Sequence, residues 1–481
     1  MQLYDSVQKT KLTFEPICEG EASIYVCGPT VYDDAHLGHA RSSLSFDLLS
    51  RTLKALGYKV TMGKNFTDID DKIIKKVEAT GKSMEEITSY YIARYVEDMQ
   101  AIGVERAEVE PKATESLHAI ERMIQKLIDN GFAYVTSTGD VYFDTSKDST
   151  YGNISHRVSD EESLSRVEHT SEKRDPKDFA LWKACKGNDK ICFDTAFSSG
   201  RPGWHIECSA MIEKHFKGNG QYSIDIHGGG ADLLFPHHEN EAAQSRCATG
   251  HELAKYWMHN GFVQIDGEKM SKSLGNSFFL KDALKLYDGE VLRYYLNSVH
   301  YRNDFNFSEE ELQTAKKRLD KLYRLKKRVS PGKGSTVNKV FKKALLDAMS
   351  DDLNISIALS VIDEMVALSN EKFDANPKDK SLKESASKPL NGASHKALKK
   401  ETLANIEFID TLLGFGGKEP FSYFQIGVDE ALKEKITRLL EERTQAKKEK
   451  NFERSDAIRD ELTALGIAIM DSPEGTLWEK G

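Results

Sequence analysis

Residues 23 to 62 read SIYVCGPTVYDDAHLGHARSSLSFDLLSRTLKALGYKVTM, and this stretch decides the fold class. Ser23 to Cys27 has the apolar character of a short buried strand. A helix is predicted from about Gly38 to Leu56, with Gly57 as its C-terminal stop, and a second strand over Tyr58 to Met62. A strand, a helix and a strand within about 40 residues predict a parallel α/β nucleotide-binding fold, whose ligand binds beyond the C-termini of the strands.

Length and composition narrow the class of protein. The chain has 481 residues, 30% of them charged, and a formal net charge of −9. That length predicts about three domains. No apolar run approaches the roughly 18 residues of a membrane helix and residues 1 to 15 lack an apolar signal core, so a cytoplasmic location is expected. Six cysteines make no dense framework, and we expect no disulfides in a reducing compartment. The acidic total argues mildly against a nucleic-acid partner.

Two short motifs favour a nucleotide site. His36-Leu37-Gly38-His39 starts the predicted helix, where backbone amides attract anions, imidazoles donate to phosphate oxygens and a glycine allows close approach. Lys269-Met270-Ser271-Lys272-Ser273 carries two lysines that suit the β- and γ-phosphates of a nucleotide. Either motif alone also fits an ordinary surface loop. At opposite ends of one interrupted α/β pattern, they together indicate nucleotide chemistry.

A metal site is a separate hypothesis. His237 and Glu241 are spaced i, i+4 on a predicted helix, so both project from one face. Cys27 ends the first strand and Cys208 lies on an earlier predicted helix. Two thiolates, an imidazole and a carboxylate suit Zn²⁺. Each residue taken singly is equally well explained as a buried thiol or a capping side chain, so spacing alone leaves the site open.

With these motifs the chain resembles the class I aminoacyl-tRNA synthetases, and within them the cysteinyl-tRNA synthetase family. His36 to His39 is similar to the HIGH motif, with Leu37 for isoleucine, and Lys269 to Ser273 matches the KMSKS motif. The resemblance extends over residues 1 to 325 and, more loosely, over the last 50. Further family markers are CGPTVY at 27–32, NFTDIDDK at 65–72, RPGWHIECS at 201–209 and the segment 227–241.

The resemblance implies a two-step ligation. Cysteine and ATP form cysteinyl-adenylate and pyrophosphate, and the cysteine then passes to the 3′ end of tRNA(Cys). Catalytic and ATP-binding roles are implied for His36, Gly38, His39, Lys269 and Lys272, and a cysteine pocket for Gly28, Thr67, Trp204 and Asp232. One Zn²⁺ per subunit, held by Cys27, Cys208, His237 and Glu241, would select the substrate thiolate. Mg²⁺ is expected with ATP, and the family favours a monomer.

The pattern of predicted elements, read together with this resemblance, divides the chain into domains. A Rossmann-like catalytic domain is expected in two halves, 1–110 and 201–305, separated by a connective insertion at 111–200. A helical domain at 306–425 is expected to contain an irregular insertion near 370–400. A small C-terminal anticodon-binding domain follows at 426–481. Residues 192–199 depart from the tryptophan-rich segment usual in the family, which leaves the shape of that loop open.

A basic stretch within the acidic chain removes the objection to a nucleic-acid partner. Between residues 316 and 343 there are twelve lysines and arginines and one acid, Asp320, a local net charge of +11. A solvated helix face is one reading, but this density favours contact with tRNA phosphates. In the terminal domain, Trp478 is the expected reader of single-stranded anticodon bases, which proteins recognise by stacking.

Two other functions fit part of the sequence. An amino-sugar ligase of the mycothiol-synthesis type also forms cysteinyl-adenylate, but such enzymes lack the C-terminal anticodon-binding domain. A catalytically silent paralogue that only binds tRNA would have no physical reason to keep the zinc, HIGH-like and KMSKS residues together.

Overall fold

The computed structural model describes residues 1–156, 172–187, 189–265, 268–269, 278–375, 392–426, 428–472 and 475–480. The chain is divided into two compact units, and each unit is made of several segments. The first unit is Met1–Asp282, Leu296–Glu309 and Leu346–Ala358. The second unit is Ala283–Tyr295, Glu310–Leu345 and Leu359–Gly481.

Strands and helices alternate over residues 1–307, called here the first half of the chain, and two further strands lie near the C-terminus. The strands are β1 (Gln2–Asp5), β2 (Thr10–Thr13), β3 (Glu21–Val26), β4 (Lys59–Lys64), β5 (Ala133–Val135), β6 (Val141–Phe143), β7 (Phe179–Ala184), β8 (Phe193–Asp194), β9 (Ser199–Pro202), β10 (Tyr222–Gly230), β11 (Glu252–Asn260), β12 (Val263–Ile265), β13 (Glu268–Lys269), β14 (Phe305–Phe307), β15 (Ile467–Ser472) and β16 (Gly475–Lys480). The helices of this half are α1 (Leu37–Ala55), α2 (Asp71–Thr80), α3 (Met84–Ala101), α4 (Leu117–Asp129), α5 (Trp204–His215), α6 (Glu239–Thr249), α7 (Leu280–Leu286) and α8 (Gly289–Leu296).

The second half is mainly helical. Its helices are α9 (Glu309–Val329), α10 (Lys339–Ser350), α11 (Ile355–Asp374), α12 (Gly392–Leu413), α13 (Pro420–Phe424), α14 (Glu430–Lys448) and α15 (Phe452–Ala464). Within the described ranges, no helix is long and apolar enough to cross a membrane.

A parallel four-stranded sheet organises the first unit. Its strand order is β11-β10-β3-β4, and Tyr25 lies between His227 of β10 and Gly63 of β4. The predicted strand–helix–strand start is therefore confirmed, with boundaries one or two residues from those expected. Because parallel strands end at the same edge, Cys27 after β3, Asn65 after β4 and Gly230 at the end of β10 share that edge.

The predicted insertion contains more regular structure than its sequence indicates. It holds a five-stranded antiparallel sheet of order β5-β6-β7-β9-β8. Most of these strands have two to four residues, too few to show an alternating pattern. The segment 192–199, whose shape the sequence does not predict, contains β8, which pairs antiparallel with β9.

The expectation of no disulfides is wrong at one pair. Cys185 and Cys192 form a disulfide, with their Cα atoms 6.2 Å apart. β7 and β8 both pair with β9, which brings the two cysteines together. Composition and compartment say nothing about such proximity, so the sequence argument could not detect it.

The irregular insertion expected near 370–400 is partly helical. Asn370 lies in the last turns of α11, and α12 begins at Gly392. Residues 376–391 lie outside the described residues.

The last residues form a small α/β layer. Asp429 caps α14 by accepting a hydrogen bond from the Leu432 backbone N–H at 2.8 Å. α14, α15 and the β15–β16 hairpin enclose a core of buried apolar side chains: Val428, Ile436, Leu439, Ile458, Leu462 and Ile467.

Candidate functional site

The His36–His39 motif forms the N-terminus of α1. His36 is the N-cap residue, and its Nδ1 accepts a hydrogen bond from the Gly38 backbone N–H at 3.1 Å. In return, His39 Nδ1 accepts one from the His36 backbone N–H at 3.2 Å. The two rings stack with centroids 3.8 Å apart. The motif is therefore a reciprocal cap made of two imidazoles.

These caps determine which ring nitrogen carries the proton. A nitrogen that accepts a backbone N–H holds no hydrogen, so each neutral ring keeps its N–H at Nε2. His36 and His39 thus present ring donors at a helix N-terminus, where an anion is also attracted by the helix dipole. The arrangement suits phosphate oxygens.

Part of the second motif lies outside the described residues. Lys269 is the last residue of β13, opposite Gln264, whereas Lys272 belongs to 270–277, for which no structure is described. The chain that follows returns to the first motif. Leu37 N donates to Phe278 O at 3.2 Å, and Leu280 N donates to Ala35 O at 2.7 Å. The segment leaving the second motif is therefore hydrogen-bonded beside the first.

Four predicted metal ligands come together at the edge of the sheet. Cys27 follows β3, Cys208 lies on α5, His237 precedes α6 and Glu241 lies in the first turn of α6. We call these four residues the ligand cluster. One donor atom of each lies within 4.8 Å of the donor atoms of the others. Cys208, His237 and Glu241 are at most 1% exposed.

The spacing within the ligand cluster fits a tetrahedral zinc ion. Zinc–ligand bonds of about 2.0 to 2.3 Å at tetrahedral angles place two sulfur ligands about 3.8 Å apart, and a sulfur and a nitrogen or oxygen about 3.6 Å apart. Cys27 Sγ lies 3.7 Å from Cys208 Sγ, 3.4 Å from His237 Nε2 and 3.5 Å from Glu241 Oε1. The donor types and their separations from the Cys27 sulfur thus suit Zn²⁺, while His237 Nε2 and Glu241 Oε1, 2.6 Å apart, are hydrogen-bonded to each other.

The charges of the ligand cluster also favour a cation. Burial raises the pKa of Glu241, but His237 and His227 outweigh it and hold that pKa well below the usual range. Burial lowers the pKa of His237, yet Glu241 and Cys208 raise it to about 10. A hydrogen bond with Cys27 lowers the pKa of the Cys208 thiol, while burial raises the pKa of Cys27. A dication would take the place of the protons that these donors share.

Several histidines around the ligand cluster have no role predicted from the sequence. His227 and His238 form a second set with Cys27 and Glu241, also within 4.8 Å. His205 Nδ1 lies 2.9 Å from His237 Nδ1, and burial lowers the pKa of His205 to about 3, so its neutral ring can accept from His237. These histidines stand in the family-marker segments, but only proximity in the fold shows their relation to the metal ligands.

The predicted pocket residues lie beside the ligand cluster or on the loops that follow the strands. Gly28 N donates to Asn65 Oδ1 at 2.8 Å, and a Cβ at Gly28 would lie 1.6 Å from Asn65 O, so only glycine fits. Thr67 is buried and accepts from Asn65 Nδ2 at 3.2 Å. Trp204 stacks on His237 with centroids 4.2 Å apart and is 41% exposed. Asp232 is exposed, in the turn after β10.

The terminal domain places its aromatic residues differently from the expectation. Trp478, the predicted base reader, packs half-buried against the small core. Phe452, at the start of α15, is 63% exposed. Lysines at 447, 448 and 450 precede it in the sequence. An exposed aromatic ring near cations is a typical stacking surface for a nucleic-acid base.

Several cations of the basic stretch are engaged within the second unit. Lys316, Arg318, Lys327 and Arg328 form ion pairs with acids of that unit. Lys317, Lys321 and Arg324 are exposed on one face of α9 and make no ion pair among the residues that the structure describes. The surface available to phosphates is therefore narrower than the +11 count indicates.

Comparison with known proteins identifies two matching families along the chain. Residues 13–317 match the model of the "tRNA synthetases class I (C) catalytic domain", and residues 429–478 match the "Cysteinyl-tRNA ligase anticodon binding domain". A cysteine–tRNA ligase of a Sulfurovum species is 80% identical over 480 residues, covering 100% of both chains. One of a Nitratiruptor species is 61% identical over 481 residues, again covering 100% of both.

Solved structures share the fold at low identity. Methionyl-tRNA synthetase of Mycobacterium tuberculosis in complex with methionyl-adenylate aligns with a TM-score of 0.58 and 15% identity. The alignment covers 82% of this chain and 92% of that chain. The ternary complex of Agrobacterium radiobacter K84 agnB2 LeuRS, tRNA and LeuAMS aligns with a TM-score of 0.57 and 11% identity, covering 85% and 86%.

Proposed function

The chain belongs to the cysteine–tRNA ligase family of class I aminoacyl-tRNA synthetases, which join cysteine to tRNA with ATP, and we propose that its ligand cluster holds the zinc ion that selects cysteine. In the first step, a carboxylate oxygen of cysteine attacks the α-phosphorus of ATP and pyrophosphate leaves. In the second step, a terminal ribose hydroxyl of tRNA(Cys) attacks the acyl carbon and AMP leaves.

One observation carries the zinc assignment. Residues separated by up to 214 positions bring two thiols, an imidazole and a carboxylate within 4.8 Å of one another in the interior. Burying such groups together is unfavourable unless they are paired or bind a cation. When bound, Zn²⁺ supplies a position that accepts the thiolate of cysteine but binds the hydroxyl of serine poorly.

The chain's own residues then position the amino acid. Gly28 lets the Asn65 backbone pack closely beside the ligand cluster, and the exposed Trp204 ring, stacked on His237, would form one wall of the pocket. We assign Asp232 to the substrate ammonium and Thr67 to the pocket floor. An apolar pocket discriminates one small group by only about 1 to 3 kcal/mol, so direct recognition of the thiolate removes the need for an editing site.

The nucleotide is assigned to the α1 N-terminus. The Nε2–H groups of His36 and His39 would donate to the phosphates, and the bare Gly38 backbone would lie against the nucleotide. Lys269 and Lys272 are proposed, on their motif, to neutralise the departing pyrophosphate, with Mg²⁺ bound to ATP. These groups stabilise the negative charge on the α-phosphate oxygens and on the departing pyrophosphate in the transition state.

The tRNA is assigned to the C-terminal half. The exposed cations Lys317, Lys321 and Arg324 on α9 would contact phosphates, and Phe452 would stack on an anticodon base. The catalytic halves 1–110 and 201–305, the insertion 111–200, the helical domain 306–425 and the terminal domain 426–481 are proposed as the functional divisions. We propose a cytoplasmic location, because charging uses free ATP, cysteine and tRNA, and a monomer, because the family resemblance favours one.

The test is cysteine-dependent exchange of labelled pyrophosphate into ATP, followed by charging of purified tRNA(Cys) and elemental analysis of the protein. We expect exchange, charging and one zinc per chain. Exchange without charging would indicate an amino-sugar acceptor instead of tRNA. Binding of tRNA without exchange would indicate a silent paralogue.

A further inference from the structure

Tyr25 carries a buried hydroxyl that the reaction scheme above does not use. The side chain is 0% exposed, and its hydroxyl has no hydrogen-bond partner among the residues that the structure describes. A buried, unpartnered hydroxyl is unfavourable by about 1 to 3 kcal/mol. A buried hydroxyl without a partner needs an explanation, and the neighbouring ligand cluster supplies one.

Tyr25 lies in the same part of the protein interior as the ligand cluster. Tyr25 and Cys27 are two residues apart on an extended segment, so their side chains leave the same face of the sheet. Tyr25 shares one buried cluster with Cys208 and Cys27.

The packing around the ring holds it in place. Phe216 contacts Tyr25 edge to face, with centroids 6.1 Å apart. A Cβ at Gly63, on the neighbouring strand, would lie 2.8 Å from Tyr25 Cδ2 and 2.8 Å from Phe216 Cζ. Gly63 therefore leaves the space that both rings occupy.

The charge of a loaded centre explains what the hydroxyl would do. Two thiolates and one carboxylate exceed the charge of Zn²⁺ by one negative charge, and the thiolate of the substrate adds another. This charge lies in a buried site, where hydrogen-bond donors to the ligands stabilise it. A phenol is a donor at neutral pH.

We propose that Tyr25 is a positioning residue that donates a hydrogen bond to the Cys208 thiolate when the centre holds zinc. The inference rests on the proposed zinc site and adds a residue that orients and tunes one of its ligands. Tyr25 has no contact with substrate in this scheme. Its effect on cysteine selection passes through Cys208.

The experiment compares Tyr25→Phe with Tyr256→Phe in the full-length chain. Tyr256 lies in the same sheet, but its hydroxyl donates to Thr13 O at 3.0 Å, away from the ligand cluster. Zinc affinity is measured by competition with a chelator. Co²⁺ is then substituted for zinc, and the sulfur-to-metal charge-transfer band is recorded.

We expect Tyr25→Phe to bind zinc about tenfold more weakly. Its charge-transfer band should move to lower energy, because a thiolate that loses a hydrogen bond gives up an electron more readily. Tyr256→Phe should match the wild type in both measurements. Replacing Tyr25 by 3-fluorotyrosine, a stronger donor, should move the band the opposite way, and this variant decides the matter if Tyr25→Phe does not fold.

Two failures are distinguishable. If the wild type holds zinc and neither Tyr25 variant alters the affinity or the band, the role of Tyr25 is overturned while the zinc site stands. If the wild type holds no zinc, the zinc assignment itself is wrong and the inference falls with it.

Discussion

The ligand cluster and the terminal domain are built from opposite kinds of contact. The ligand cluster joins residues up to 214 positions apart and buries almost all of their polar atoms. The terminal domain uses contacts within its last few dozen residues and keeps Phe452 63% exposed. A small thiol is best distinguished where water is excluded, whereas an RNA base must be reached from solvent.

The two regions also balance charge differently. Glu241 is fully buried and is held by His227 and His237, at 2.5 and 2.6 Å. In the terminal domain, the buried Arg443 guanidinium binds Asp471 with two hydrogen bonds, at 2.6 and 3.0 Å, and Asp471 remains 44% exposed. The first arrangement prepares a cation site, while the second fastens α14 to the β15–β16 hairpin. The predictions below test this contrast.

The largest effect is expected for Cys208→Ser. Because a hydroxyl is a poor zinc ligand, the variant should lose zinc. Mutating a residue that only hydrogen-bonds to a metal ligand already lowers metal affinity or activity about 10- to 100-fold. Loss of a ligand itself should therefore lower the rate of cysteine-dependent exchange by at least about 100-fold. Elemental analysis and pyrophosphate exchange measure both effects. The matched control is Cys247→Ser, a buried thiol outside the ligand cluster, which should keep its zinc. Full zinc content in Cys208→Ser would remove Cys208 from the centre.

A second prediction concerns His36→Asn. Asparagine is a good N-cap residue, so α1 should keep its start, but the Nε2–H donor is lost. We expect about a 100-fold slower exchange reaction with normal zinc content, as for the loss of one transition-state donor. His118→Asn, at an exposed histidine, is the control. An exchange rate equal to that of the wild type would show that His36 acts only as a cap.

A third, smaller effect is expected for Phe452→Ala. Losing one stacked base should lower the kcat/KM of tRNA charging about tenfold. Pyrophosphate exchange should not change, because the adenylate forms in the other unit. The control is Tyr90→Ala, at an aromatic residue of the catalytic unit that is 58% exposed. It should leave both the charging rate and the exchange rate unchanged, because Tyr90 lies outside the terminal domain. A parallel loss of exchange and charging in Phe452→Ala would mean that the side chain is structural.

The smallest effect concerns Asp98, a buried carboxylate for which burial outweighs its ion pair with Arg94 at 3.3 Å. Burial raises the pKa of Asp98 to about 6. An unfolded aspartate titrates near 3.9, so the charged form weakens the fold above pH 6, and this penalty disappears as the pH falls toward 4. Asp98→Asn should raise the free energy of unfolding by about 1 kcal/mol at pH 8 and by less at pH 5. Denaturant unfolding at the two pH values measures it, and equal gains at both would exclude this cause.

Local features of the chain were predictable because local interactions produce them. The start of α1, the Asp429 cap and the small terminal core follow from residues within a few turns of one another. The insertion sheet was underestimated because its strands are short and pair across loops. The Cys185–Cys192 disulfide was missed for the same reason.

The sequence by itself determined the fold class, the nucleotide motifs, the family and a set of ligand types that suit zinc. Only the tertiary structure decided that Cys27 and Cys208, 181 residues apart, lie 3.7 Å from each other. It also decided that His205 contacts His237, that Tyr25 is buried beside Cys208 and that Trp478 belongs to a core. The physical reason is that periodicity and caps act over a few residues, whereas a buried centre depends on how strands and helices pack at the edge of a sheet.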